Sequence, residues 1–375
     1  MRVDCSGPFC VLRSIRRVCD GERFPLPSPP TMASSSRLAP VPRPLRNGLP
    51  GAIGATPLIR IESLSAATGA TILGKAELMN PGGSVKDRAA LHIVEAAEAA
   101  GLLGGKSGVS EIVEGTAGNT GIGLALMARA RGYRCHIVIP RTQSAEKLDL
   151  LRALGAELHL VDAVPFANPE NYYHVAKRLA EERRAFWADQ FENPANADAH
   201  FSTTGPEILA DAPKLDAFIC SAGTGGTLGG VSAYLAEAAP AVQSWLIDCE
   251  GSSLENYVNH GSLDATGGSV LEGIGIRRIT GNFGRAKLHG AFAGTDREAV
   301  EMAHWLLKND GLFVGGSAAL NCVGAVKLAR KLGPGATVAT ILCDGAQRYA
   351  SRLFNADWLA EKGLVPGATD LTFVA

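Results

Sequence analysis

Three times along this chain an apolar, strand-length run stops at a glycine-rich turn that opens a helix-like segment. Ala217 to Cys220 leads into SAGTGGTLGG (Ser221 to Gly230) and a helix-like stretch through Leu235. Glu111 to Val113 leads into EGTAGNTG (Glu114 to Gly121) and Ile122 to Ala130, and a third apolar stretch leads into FVGGSAALN (Phe313 to Asn321). A strand that turns straight into a helix must cross over before the next strand, which favours parallel sheets covered by helices on both faces. Ligands of such sheets sit beyond the carboxyl ends of the strands, where these loops emerge.

The rest of the chain keeps the alternation. Strand-like runs Thr71 to Glu77, Glu111 to Val113, Cys135 to Ile139, Glu157 to Val161 and Ala185 to Asp189 make a first unit, with helices Asp87 to Ala100 and Ser144 to Leu154 between them. Strands near Ala217, Trp245, Ala291 and Val338 make a second. In the helix Asp296 to Lys308, residues Ala299, Met302, Ala303 and Leu306 share one face, the pattern of core packing and not of a cofactor box. The expected fold is α/β, with two doubly wound parallel-sheet domains at 48–198 and 199–360, a ligand cleft between them and a C-terminal tail at 361–375.

Chemistry enters at NPGGSVKDR (Asn80 to Arg88), where a Gly-Gly turn delivers Lys86 into the first turn of a helix. That position carries partial positive charge, so Asp or Glu is the usual tenant and the neutral amine of a lysine gains. Such an amine suits Schiff-base chemistry with a carbonyl cofactor. SAGTGGTLGG offers bare backbone amides for a phosphate, with Thr224 and Thr227 as hydroxyl donors. It lacks the ending of a triphosphate loop and misses the third glycine of the dinucleotide fingerprint, although Asp248 and Glu250 end the next strand where a ribose-binding acid would sit. In EGTAGNTG, Thr116, Asn119 and Thr120 offer donors for a carboxylate or a phenolic oxygen, or serve as helix caps. Ser317 heads the helix after its glycine pair, as a ligand group or as a plain N-cap.

In this order and at these separations, the four motifs resemble the pyridoxal-phosphate enzymes of the cysteine synthase and cystathionine β-synthase family, over about residues 50 to 360. EGIG (Glu272 to Gly275), QFENPAN (Gln190 to Asn196) and TTGPEI (Thr203 to Ile208) join the resemblance, and the texture is closest to microbial cysteine synthase-like proteins. The likeness implies the tryptophan synthase β-like architecture of fold type II pyridoxal-phosphate enzymes. It implies that Lys86 carries the Schiff base to pyridoxal 5'-phosphate and acts as general base, that Asn119 meets the cofactor's phenolic oxygen, and that Gly223, Thr224, Gly225, Gly226 and Thr227 hold its phosphate. Ser317 would meet the pyridine nitrogen, and Thr116, Asn119, Thr120 and Gln190 the substrate carboxylate. A hydroxyl at the ring nitrogen makes a weaker electron sink than a carboxylate does, which favours prompt loss of a β-substituent. The implied activity is β-replacement, O-acetylserine plus sulfide giving L-cysteine through an aminoacrylate. Cysteine desulfhydration, cystathionine formation and other β-substituted alanine syntheses fit the same residues, whereas a NAD-dependent oxidoreductase leaves Lys86 idle.

Composition agrees with an enzyme of small molecules. At 375 residues and 46% hydrophobic, the chain has room for two cores. A net charge of -1 and the lack of a long apolar run give no sign of a nucleic-acid or membrane partner. The eight cysteines, at 5, 10, 19, 135, 220, 249, 322 and 343, show no CxxC or CxxH spacing, so no metal site is expected from them. Residues 1–47 read as a flexible tail: Pro25 to Pro30 is PLPSPP, and five arginines stand against three acids up to Arg23. Met32 is an alternative start, and a cytoplasmic location is expected ahead of a mitochondrial one. The family's usual homodimer is expected too. Departures from the family pattern, at Ala117, at Ala318, Ala319 and Leu320, at Gly345 and at Arg277 and Arg278, bear on substrate choice. Either arginine could meet a second carboxylate or face solvent.

Overall fold

The computed structural model describes residues 45–375, so Cys5, Cys10, Cys19, Met32 and most of the expected tail lie outside the described residues. Ten strands are present among these residues: β1 (Leu58–Arg60), β2 (Thr71–Lys75), β3 (Glu111–Gly115), β4 (Arg134–Pro140), β5 (Glu157–Val161), β6 (Phe186–Trp187), β7 (Ala217–Cys220), β8 (Gln243–Cys249), β9 (Gly290–Gly294) and β10 (Thr337–Ile341). They form a six-stranded sheet, β1-β2-β10-β7-β8-β9, and a four-stranded sheet, β5-β4-β3-β6. Every pairing is parallel except β1 with β2, an antiparallel edge that the expectation of all-parallel sheets did not include.

The larger sheet is buried on both faces, so its strands read as continuous apolar runs. Ala217 and Ile219 of β7 join one core cluster, while Phe218 and Cys220 join the cluster on the opposite face, as the two-residue period of a strand requires. In the smaller sheet, Ile112, Ile137 and Ile139 pack on one side and Val113 and Val138 on the other, beneath Ala176 and Ala180. Helix Asp296–Asp310 buries Ala299, Met302, Ala303 and Leu306 completely, the core face expected of it.

Two segments sit elsewhere than the sequence reading put them. Thr71 to Glu77 was assigned to the first unit, yet β2 pairs with β10 in the larger sheet, Thr71 beside Thr337 and Lys75 beside Ile341. Apolar periodicity reveals a strand but not its partner, and this partner lies at the other end of the chain. Residues 361–375, read as a tail, dock on the larger core: Leu371 and Val374 are buried, and Arg330 donates to Leu371 O (2.9 Å) and to Val374 O (2.5 Å). The register sets the carboxyl ends of β2, β10 and β7 side by side, so the loops after them share one rim.

Candidate active site

Lys86 is the first residue of the helix Lys86–Ala99, as its spacing predicts. The turn before it is tied down by local polar groups. Asn80 Nδ2 donates to Glu77 Oε2 (2.7 Å) and Ser84 O (3.2 Å), its Oδ1 accepts from Gly54 N (2.9 Å), and Gly82 N donates to Asp87 Oδ2 (2.5 Å). A Cβ on Gly82 would stand 2.5 Å from Asp87 Oδ1, which is why the turn needs glycine there. Burial pushes the Asp87 carboxyl up to about 7, although the Gly82 amide and Arg348 work against it. Behind the turn, Arg88 is buried between Glu77 (2.8 Å) and Glu207 (2.7 Å), and Lys75 also reaches Glu207 (2.8 Å).

All eleven residues singled out from the sequence, Lys86, Thr116, Asn119, Thr120, Gln190, Gly223, Thr224, Gly225, Gly226, Thr227 and Ser317, line one pocket. Both sheets contribute to it. From the smaller sheet, Thr120 Oγ1 donates to Gln190 Oε1 (2.5 Å), and Gln190 Nε2 donates to Gly115 O (2.9 Å). Thr116 Oγ1 accepts from Gly118 N (3.1 Å), and burial, with Asp189's charge second, pushes Glu114 behind the loop well above the usual carboxylate range. Asn119 is gripped from the other side of the cleft: its Nδ2 donates to Asp344 Oδ2 (2.7 Å) and its Oδ1 accepts from Arg348 (2.5 Å). An amide nitrogen carries two hydrogens, so one remains for a ligand.

The loop after β7 enters the helix Gly226–Ala238 through Gly225, whose φ of 84° is left-handed. The backbone N–H groups of Gly223, Thr224, Gly225 and Thr227 meet no acceptor among the described residues, and that of Gly226 has only a long contact to Thr224 Oγ1 (3.5 Å). Added Cβ atoms would stand 2.3 Å from Gly273 O at Gly223 and 2.1 Å from Asn196 Oδ1 at Gly226. Thr227 Oγ1 lies 3.2 Å from His200 Nε2, and burial, reinforced by Arg88 and Lys86, pulls this imidazole well below its usual range and keeps it neutral.

Ser317 is not an N-cap. Gly315 holds that position in the helix Gly316–Leu332, and the buried Ser317 lines the pocket together with Cys343, whose thiol accepts from Asn321 Nδ2 (3.2 Å). Burial pushes that thiol up to about 11, Lys86's charge notwithstanding, so it stays protonated. Asp248 and Glu250, the acids of the dinucleotide alternative, line a different pocket and cap backbone amides of Glu255 and Asp296 (2.8 Å each). Neither arginine after EGIG is free. Arg277 donates to Gly251 O (2.8 Å) and Gly267 O (2.6 Å); Arg278 pairs with Glu192 (2.5 Å) and lies over the Phe166, Tyr173 and Phe191 rings.

Sequence reasoning missed Lys147 and Cys343 in the pocket wall, and Asn196 and His200 behind the phosphate loop. Lys147 is almost wholly buried and pairs with Glu272 (2.5 Å), the first residue of EGIG. A lysine in an amphipathic helix looks like solvated surface, and only the quoted EGIG motif hinted at a partner.

The donor set fits a phosphorylated aldehyde of a pyridine. Five amides with hardly any other acceptor lie at a helix start, where an anion binds well, and a lysine able to take a carbonyl and a neutral hydroxyl suited to a ring nitrogen line the same pocket. Fold and pocket together define a two-sheet α/β protein whose pocket, lined from both sheets, holds a lysine among its donors. The chain belongs to the pyridoxal-phosphate-dependent enzyme family, whose profile matches residues 49–344. It is 54% identical to "Cysteine synthase 1" of Emericella nidulans over 85% of this chain and 87% of that protein. It is 49% identical to "Cysteine synthase" of Dictyostelium discoideum over 88% of this chain and 90% of that protein. Among solved structures, an O-ureido-L-serine synthase superposes with a TM-score of 0.76 at 34% identity, over 88% of this chain and all of that one.

Proposed function

We propose that the protein is a cysteine synthase that replaces the acetate of O-acetylserine with sulfide. The observation that carries this reading is the convergence of Lys86, the amide-lined loop, the Thr116–Thr120 loop and Ser317 on one pocket, joined to kinship of about half identity with proteins named cysteine synthase. Bound pyridoxal phosphate supplies an electron sink at the substrate's Cα, which makes α-proton loss and departure of the β-substituent accessible. The amides of 223–227 hold the phosphate, and Lys86 Nζ is the covalent anchor. The same nitrogen would take the α-proton. Thr116, Asn119, Thr120 and Gln190 orient the substrate carboxylate, which fixes the Cα–H bond toward Lys86. Ser317 would give the ring nitrogen a neutral partner, which suits loss of a β-substituent.

The occupied guanidinium groups of Arg277 and Arg278 support a small second substrate over one with a second carboxylate. The test is a screen of purified enzyme against O-acetylserine, O-phosphoserine, serine and cysteine, each with sulfide or homocysteine. O-acetylserine with sulfide should be fastest; a clear preference for cysteine alone would make the protein a desulfhydrase. A homodimer in the cytoplasm completes the reading, checked by light scattering and by a fluorescent fusion, with the mitochondrion as the second location. No helix among the described residues is long and apolar enough to cross a membrane.

A further inference from the structure

At the end of the smaller sheet opposite the pocket, three side chains from two strands meet without any role in the chemistry above. His136 of β4 pairs in register with Glu157 of β5, and His159 follows two residues later on the same face. His136 Nδ1 lies 3.4 Å from His159 Nε2 and 3.4 Å from Glu157 Oε2, and Glu157 Oε1 is 3.8 Å from His159 Nε2. A tetrahedral ion with arms of about 2.0–2.1 Å holds its ligands about 3.3–3.4 Å apart, the spacing of the two imidazole nitrogens here; with one oxygen of Glu157 the three donor atoms lie within 4.8 Å of one another, so a turn of that exposed side chain completes the set. A hydrogen bond explains at most one of these contacts.

The other nitrogen of His136 adds a second observation. Its Nε2 is buried and makes no properly aimed hydrogen bond, yet Glu111 Oε2 of β3 is 3.2 Å away. With an ion on Nδ1, the ring proton must sit on Nε2 and face Glu111, the carboxylate–histidine–metal relay common to such centres. Glu111 is itself held in place by Arg134 and by Arg183 (2.8 Å). Glu157 and His159 are 60% and 29% exposed, which gives an ion a route in and leaves room for water as fourth ligand.

We propose that His136 Nδ1, His159 Nε2 and a Glu157 oxygen form a site for one divalent transition-metal ion of the zinc type. Two imidazoles and one carboxylate select such an ion over magnesium or calcium, which take oxygen ligands. Because it clamps edge strand β5 to β4 away from the pocket, the ion stabilises the four-stranded unit and leaves the cofactor alone. No spacing motif announces it, since the ligands meet only when the two strands pair.

The test uses the pyridoxal-phosphate-loaded enzyme, stripped of metal by chelation and titrated with Co2+, then with Zn2+. One Co2+ per chain should bind with the visible absorption of a tetrahedral centre and without a thiolate-to-cobalt charge-transfer band, and Zn2+ should displace it and raise Tm. Glu157→Ala at an exposed position and His159→Ala at a half-buried one should each weaken Co2+ binding by more than about 10-fold, and Glu111→Gln by about 10-fold. A wild type that binds no Co2+, an affinity unchanged in both ligand variants, or a spectrum with thiolate ligation would each overturn the assignment.

Discussion

Lys86 and the glycines of 223–226 act through position more than through any unusual contact, and substitutions there separate cofactor binding from folding. With Lys86 proposed as both anchor and base, Lys86→Ala should lower kcat by at least about 10²–10⁴-fold, the usual worth of a general base. Borohydride reduction followed by mass spectrometry should tag the Lys86 peptide in wild type and leave the corresponding peptide of the variant untagged. Gly226→Ala is subtler: its Cβ would press on Asn196 Oδ1, and Asn196 Nδ2 also holds Gln190 O (2.8 Å) and Thr224 Oγ1 (3.0 Å). Shifting that amide misaims one or two phosphate donors, which should cost about 10- to 100-fold in pyridoxal phosphate affinity, read by titrating the apoenzyme. These residues were legible because lysine, glycines and threonines stand within short local spacings. Cys343 and Lys147 were not, since nothing near them in sequence tells that Ser317 or Glu272 will face them.

The helix Lys86–Ala99 owes its placement to ionisable groups at its base, and these make its stability depend on pH in two separate windows. Burial alone would raise the Glu207 carboxyl, but hydrogen bonds and charge from Arg88, then from Lys75, outweigh it and hold the group down at about 2, against an ordinary 4.5. The folded state therefore binds that proton less tightly than the unfolded chain does, and the stabilisation, full above pH 4.5, is lost as pH falls toward 2. It amounts to about 3 kcal/mol at most, since the side chain is partly exposed. Asp87 acts with the opposite sign: raised from 3.8 to about 7, it favours the folded state at low pH and loses that advantage as pH rises through about 7. Urea denaturation across pH should show a flatter acid limb in Glu207→Gln and no decline between pH 4 and 7 in Asp87→Asn. At this scale the sequence revealed that helices and strands exist and roughly where they end, because burial on alternate faces is written locally. Sheet membership was not, and β2 shows why: its hydrogen bonds go to residues 337–341.

The pocket has walls from both sheets, so activity depends on how the four-stranded unit is held against the larger one. The contact nearest the mouth is a clasp on Glu272. Lys147 of the helix Ala145–Ala153 reaches Oε2 (2.5 Å) and lies over the Tyr349 ring, while Arg352 reaches Oε1 (2.6 Å). Ser144 Oγ also donates to Arg348 O (3.0 Å), and Arg348 in turn holds Asn119. A substrate carboxylate seated on Thr116, Asn119 and Thr120 pulls on the same helix-and-loop unit that this clasp restrains. Substrate grip and clasp are thus coupled through one rigid segment. Glu272→Gln keeps the volume but strips the charge from a pair whose lysine side chain is only 2% exposed, leaving a buried ammonium without a counter-ion. The loss falls on the contact across the pocket, which the bound amino acid must then offset by itself. KM for O-acetylserine should rise by about 10-fold, about 1.4 kcal/mol, while pyridoxal phosphate affinity and the borohydride-tagged lysine stay unchanged, because no phosphate-loop donor touches Glu272. Steady-state kinetics with varied O-acetylserine at saturating sulfide reads the first, and apoenzyme titration the second. Equal losses in KM and in cofactor affinity would mean that Glu272 merely supports the fold and that its clasp is not coupled to substrate binding.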